Sequence, residues 1–120
     1  MSTALLIIDH GSVQPAANAM LEDVAAIVCR KRPDLIVEIA HMELADPTIQ
    51  QGIDACIRAG AMEIVAHPYM LAPGRHATQD IPRMVQAAAA KYPAIAVRMT
   101  APLGLHEKIG DVVLERAGLA

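Results

Sequence analysis

Short apolar runs and amphipathic stretches alternate four times along this chain, and three of the apolar runs break off into residues that carry chemistry. Ala4-Leu5-Leu6-Ile7-Ile8 ends in Asp9-His10-Gly11-Ser12, and Ile36 to Ala40 ends in His41-Met42-Glu43. Ile64 to Ala66 passes through His67 and Pro68 toward the loop Pro73-Gly74-Arg75-His76. Uninterrupted apolar runs this short predict strands covered on both faces, at roughly 4–9, 35–41, 62–67 and 95–100.

Helical spacing fills the intervals. The first helix is expected over about 16–31, with Met20, Val24, Ile27 and Val28 on one face. Asp46-Pro47 reads as an N-cap followed by a proline in the first turn, with Ile49, Ile53, Cys56 and Ile57 facing inward and Gly60 ending the helix. The third helix starts near Thr78 or Asp80, tolerates Pro82 in its first turn and runs through Ala87–Ala90 until Pro93. The fourth begins near His106 and is expected to bury Ile109, Val112 and Val113.

Helices between successive strands imply right-handed crossovers. The expected fold is therefore one α/β domain over residues 1–120, a doubly wound four-stranded parallel sheet of order 2-1-3-4 with helices on both faces. The switch point lies between the first and third strands, and in such sheets ligands bind at the strand exits. Topology thus brings His10, Glu43 and His76 toward one edge.

Composition narrows the function. The chain has 120 residues, 54% of them apolar, with no Phe or Trp, so aliphatics and seven Met must fill the core. A net charge of −3 argues against nucleic acid, whose phosphates require a basic face. No stretch has the length of a membrane span, and no basic segment precedes the first apolar run. Cys29 and Cys56 lie on predicted helices without a CxxC pair, so buried free thiols in a cytoplasmic protein are expected rather than a disulfide or a cluster.

Two imidazoles and a carboxylate on separate loops make an open, facial-type site suited to Fe²⁺, Co²⁺ or Ni²⁺ rather than a closed four-ligand zinc site. The Gly11-Ser12 amides before the first helix, and the guanidinium of Arg75, are candidate anchors for anionic groups. Met70, Leu71 and Leu103 are placed to form an apolar wall beside them. Of the remaining candidates, His67 is expected to be a hydrogen-bonded core residue and His106 a solvated one. His41 stands either behind the site or exposed at a strand end. Asp9 can orient His10, although adjacent strand residues point to opposite faces. Asp46 and Asp80 are read as helix caps. A serine hydrolase built on Ser12 and His10 is disfavoured, because Ser12 is not in a nucleophile elbow.

Taken in order, Asp9-His10-Gly11-Ser12, His41-Met42-Glu43-Leu44-Ala45-Asp46-Pro47-Thr48-Ile49, Pro73-Gly74-Arg75-His76 with Gln79-Asp80-Ile81-Pro82, and Thr100-Ala101-Pro102-Leu103-Gly104 resemble the short sirohydrochlorin chelatases. The resemblance covers nearly the whole chain. It implies ATP-independent insertion of a divalent metal into the tetrapyrrole sirohydrochlorin, for sirohaem or cobalamin synthesis. The metal is then a substrate, and no cofactor is permanently bound. The resemblance also implies that His10 and His76 hold the metal, that Glu43 is a third ligand or proton acceptor, and that the fold is half of a larger two-domain chelatase, paired as a homodimer. Met70, Leu71 and Leu103 would face the macrocycle, with Ser12 and Arg75 at its carboxylates. Asp9 and Val13 stand where cobaltochelatase-like members carry Gly and often Arg, and the Asp-His start is more like the ferrochelatases. Fe²⁺, Co²⁺ and Ni²⁺ all stay open. A metal or tetrapyrrole carrier without turnover is the competing function.

Overall fold

Each apolar run forms a strand, and all four strands are parallel. A computed structural model describes residues 2–120 as β1 (Thr3–Asp9), α1 (Pro15–Lys31), β2 (Ile36–His41), α2 (Ile49–Arg58), β3 (Glu63–Pro68), a π-helical turn (His76–Asp80), α3 (Ile81–Ala89), β4 (Ala96–Met99) and α4 (Glu107–Ala117). The sheet order is β2-β1-β3-β4, as the alternation of elements implied. β1 lies in register with β2 from Ala4 opposite Ile36 to Asp9 opposite His41, and with β3 from Thr3 opposite Glu63 to Ile8 opposite Pro68.

The main core lies on one face of the sheet. There Leu6, Ile8, Ala40, Ile64 and Ala66 meet Ile49, Ile53 and Cys56 of α2 and Ile81, Val85 and Ala88 of α3. Gly52 permits this approach: a Cβ there would lie 2.8 Å from Leu6 Cδ1 and 3.0 Å from Ala40 Cβ. A hydrogen bond of 2.6 Å from the Tyr92 hydroxyl to Asp54 joins the end of α3 to α2.

The first and last helices are less covered than periodicity suggested. On α1 only Leu21 is buried, whereas Met20 and Ile27 are exposed and Cys29, expected inside, lies at the surface. On α4 no residue is buried, and Val112 and Val113 are 50% and 60% exposed. An apolar stripe records that a helix has a face to cover; it does not say whether this chain covers it.

Two caps also differ from expectation. Thr48, not Asp46, caps α2 in a reciprocal capping box with Gln51, its hydroxyl accepting from the Gln51 amide at 3.2 Å while the Gln51 side chain accepts from the Thr48 amide at 2.8 Å. Asp80 makes no capping hydrogen bond at the start of α3. Among the described residues no helix is long and apolar enough to cross a membrane.

Candidate functional site

Backbone bonding continues past the ends of β1 and β2 and carries the candidate residues with it. Met42 N–H donates to the Asp9 carbonyl at 2.9 Å, and Glu43 N–H donates to the His10 carbonyl at 3.2 Å. Gly11 makes this approach possible. Its φ is +90°, and a Cβ there would overlap the Glu43 carbonyl oxygen and press on His41 Cβ at 3.2 Å. Leu44, directly after Glu43, takes a left-handed φ of 72°, a costly conformation for a side chain of this kind and one that turns the chain away immediately after the carboxylate.

These constraints set the side chains together. His10 Nε2 lies 3.8 Å from Glu43 Oε1. The His10 and His76 rings meet edge to face, with centroids 4.7 Å apart and an interplanar angle of 77°. All three side chains are about half exposed, at the rim of the sheet and not in its core. Among the described residues, no group of three or more His, Cys, Asp or Glu side chains already has the geometry of a metal cage. His10 is the hub of an open cluster, close to both Glu43 and His76. Two imidazoles and one carboxylate at an exposed rim suit a borderline divalent ion that must arrive and leave.

Two carboxylate–imidazole pairs adjoin or form part of the rim. Asp9 Oδ1 lies 2.6 Å from Nδ1 of His41, which is only 2% exposed, so the two register partners at the ends of β1 and β2 are tied through their side chains. Asp9 therefore orients His41 rather than His10, in keeping with strand alternation. Asp80 Oδ2 lies 2.9 Å from His76 Nδ1, and Asp80 Oδ1 is 3.3 Å from Arg83 Nη2. Both pairs were missed as pairs in the sequence. The signals were present, in the opposed strand ends and in the four-residue spacing of His76 and Asp80.

The remaining candidates are placed as follows. Ser12 N–H donates to Asn18 Oδ1 at 3.0 Å, and Ser12 Oγ accepts from Gln14 N–H at 3.0 Å, so its amide is engaged at the start of α1 and only the hydroxyl proton is left for a ligand. This corrects the expectation that the Ser12 amide would serve an anion. Arg75 is exposed just before the π-helical turn and has no ion-pair partner among the described residues. Leu103 N–H donates to the Met70 carbonyl and Gly104 N–H to the Leu71 carbonyl, each at 2.9 Å. Those bonds join the loops after β3 and β4 into one shelf, with Leu71 and Leu103 exposed and Met70 packed partly against the core. Beside Leu103, a cavity of about 330 Å³ is lined by Tyr69, His106, Ile109 and Val112. Larger hollows lie elsewhere; one of about 430 Å³ at the opposite end of the strands is bordered by Leu5, Arg32, Asp34 and Arg98 and holds neither imidazole nor thiol. Chemistry, not volume, singles out the rim.

The remaining thiol and imidazole candidates are engaged elsewhere. Burial pushes the Cys56 thiol up to about 12, so it is not a thiolate donor. His67, half-buried, is lowered from the ordinary imidazole value by desolvation, and its Nδ1 lies 2.8 Å from the Thr100 hydroxyl, which itself donates to the Ala101 carbonyl. Thr100 Oγ1 thus accepts from His67; the hydrogen bond was expected, but His67 is only partly buried and lies outside the core. His106 Nδ1 accepts from the Lys108 amide at 3.1 Å and caps α4.

Known proteins resemble this chain in sequence and in fold. The chain is 42% identical over 112 residues to the chloroplastic sirohydrochlorin ferrochelatase of Arabidopsis thaliana, covering 93% of this chain and 50% of that protein. It is 32% identical to the sirohydrochlorin cobaltochelatase of Methanococcoides burtonii, covering 94% of this chain and 92% of the relative. Its fold superposes with a TM-score of 0.90 and 31% identity on the sirohydrochlorin chelatase SirB from Bacillus subtilis subspecies spizizenii in complex with cobalt, over 98% of this chain and 50% of that one. The chain spans about half the length of several curated relatives it matches, at 50%, 42% and 44% of their lengths. The family model described as CbiX matches residues 4–119. This chain belongs to the CbiX family.

Proposed function

We propose that this chain is a sirohydrochlorin chelatase that inserts Fe²⁺ or Co²⁺ into the tetrapyrrole without ATP. The observation that carries the reading is the convergence of His10, Glu43 and His76, from three separate strand exits, on one open rim. The relatives' names supply the substrate class. Ni²⁺ also fits the donor set.

The reaction needs little covalent chemistry from the protein. A divalent ion enters the macrocycle, two pyrrole N–H bonds break, and two protons leave, so charge balances at a neutral metal–ligand core. His10 and His76 hold the ion as neutral imidazoles and give it up to the ring nitrogens. Glu43, half exposed beside His10, completes the coordination or takes a departing proton. Met70, Leu71 and Leu103 offer an apolar shelf for the macrocycle, and Arg75 with the Ser12 hydroxyl reaches its peripheral carboxylates.

The same reading extends to a homodimer. Val112, Val113, Leu114 and Leu119 on and after α4 lie exposed, as do Met20 and Ile27 on α1. The resemblance to the short chelatases implies pairing with a second copy of this chain, and these exposed residues are where such a partner would dock.

The test mixes purified protein with sirohydrochlorin and, separately, Fe²⁺, Co²⁺ and Ni²⁺, and follows the tetrapyrrole absorbance against a protein-free control. The expected result is acceleration that His10→Ala and His76→Ala abolish, with the fastest ion identifying the preferred metal. Tight stoichiometric binding without acceleration would make the chain a carrier instead.

A further inference from the structure

His76 and His10 are held in unequal ways. Among the described residues, neither ring nitrogen of His10 makes a hydrogen bond, and its nearest charged neighbour is Glu43 at 3.8 Å. His76 Nδ1, in contrast, is bonded to Asp80 Oδ2 at 2.9 Å. Asp80 is the less exposed member of that pair, at 19% against 49% for His76, and Arg83 holds its second oxygen from one turn further along α3. The turn that carries both residues is π-helical, with the Ile81 amide donating to the His76 carbonyl, and it is seated on the core through Ala77 and Ile81, both buried. Inserted residues of this kind recur at functional sites, where they re-aim side chains.

From this asymmetry we infer that Asp80 is a positioning residue for metal capture: it makes His76 the fixed ligand of the rim, with His10 and Glu43 closing on the ion afterwards. An ionised carboxylate only accepts, so the proton of a neutral His76 ring resides on Nδ1 and the lone pair on Nε2. The same bond restrains ring rotation and raises the donor strength of Nε2, as carboxylates behind metal-binding histidines do. Asp80 touches neither the ion nor the tetrapyrrole; it acts through His76. The inference rests on the assignment of His76 as a metal ligand.

Co²⁺ alone is the probe, titrated into the purified chain with the visible d–d bands and calorimetry as readouts and circular dichroism as a check of folding. Asp80→Leu removes the acceptor and should weaken Co²⁺ binding by about 10–100-fold, with altered band positions. Asp80→Asn keeps an acceptor oxygen without the charge and should lose less, which also keeps the test decisive where the leucine variant fails to fold. Arg83→Ala removes the helix ion pair and leaves the His76 contact, so it should stay within a few-fold of the parent. A purely structural role for Asp80 predicts lower melting temperatures with unchanged bands and affinity. If His76→Ala loses Co²⁺ while both Asp80 variants bind as the parent does, Asp80 has no such role and the ligand assignment stands. If His76→Ala also binds as the parent does, the assignment fails and this inference fails with it.

Discussion

The His10 and His76 rings stand edge to face with centroids 4.7 Å apart, although one leaves β1 and the other belongs to a turn well beyond β3. The β2-β1-β3 order accounts for this meeting, because it sets the exits of β1 and β3 side by side. Parallel pairing of β1 with β2 then brings Glu43 in from the other side. A site assembled this way depends on backbone register as much as on the ligands themselves.

Gly11→Ala should therefore disable the site without touching a ligand. The added methyl collides with the Glu43 carbonyl, and the left-handed φ disfavours any side chain. Separation of His10 from Glu43 by about 1 Å is enough to lower metal insertion about 100-fold. The absorbance assay measures the rate, and circular dichroism should show the helices retained.

Gly52→Ala should act on stability instead. The new Cβ presses on Leu6 and Ala40 where α2 crosses the sheet, an overpacking that costs about 1–3 kcal/mol. Chemical denaturation should show a lower midpoint, with metal insertion in the folded fraction near the parent value.

His67 makes stability depend on pH. Desolvation lowers it below its ordinary value, so the folded chain resists a proton that the unfolded chain accepts. Its contribution is fully present above about pH 6.5, the unfolded imidazole value, and is lost as pH falls from there through the lowered folded value. Denaturation at about pH 7.5 and about pH 5 should show the difference, and His67→Gln should flatten it.

Val113→Glu should separate assembly from folding. The residue is exposed in the single chain, so a charge there should leave the monomer's unfolding nearly unchanged while excluding an apolar partner. Sedimentation should show a dimer for the parent chain and a monomer for the variant. A monomeric parent would remove the dimer proposal.

Much of this was legible in the chain. β1 to β4 follow from apolar runs of strand length, and the order 2-1-3-4 follows from helices in every interval together with crossover handedness. His10, Glu43 and His76 stood out because each follows a strand exit. What was lost has physical causes. Val112 and Val113 were assigned to a core because helical periodicity cannot distinguish a face buried within the chain from one left for another surface. Asp46 looked like the cap of α2, but Thr48 and Gln51 form a reciprocal box closer to the first turn. Asp9 and His41 lie far apart in sequence, and only the parallel register makes them neighbours. Asp80 was legible in principle, since a carboxylate four residues after a histidine falls on the same helical face, yet a cap was the commoner role for it.

Whether His10, Glu43 and His76 meet on a single ion can be read from the anomalous difference density of crystals soaked in Co²⁺. One peak bonded to Nε2 of His10, Nε2 of His76 and a carboxylate oxygen of Glu43 is the predicted result. Cobalt bound elsewhere, with these three side chains left unligated, would contradict it.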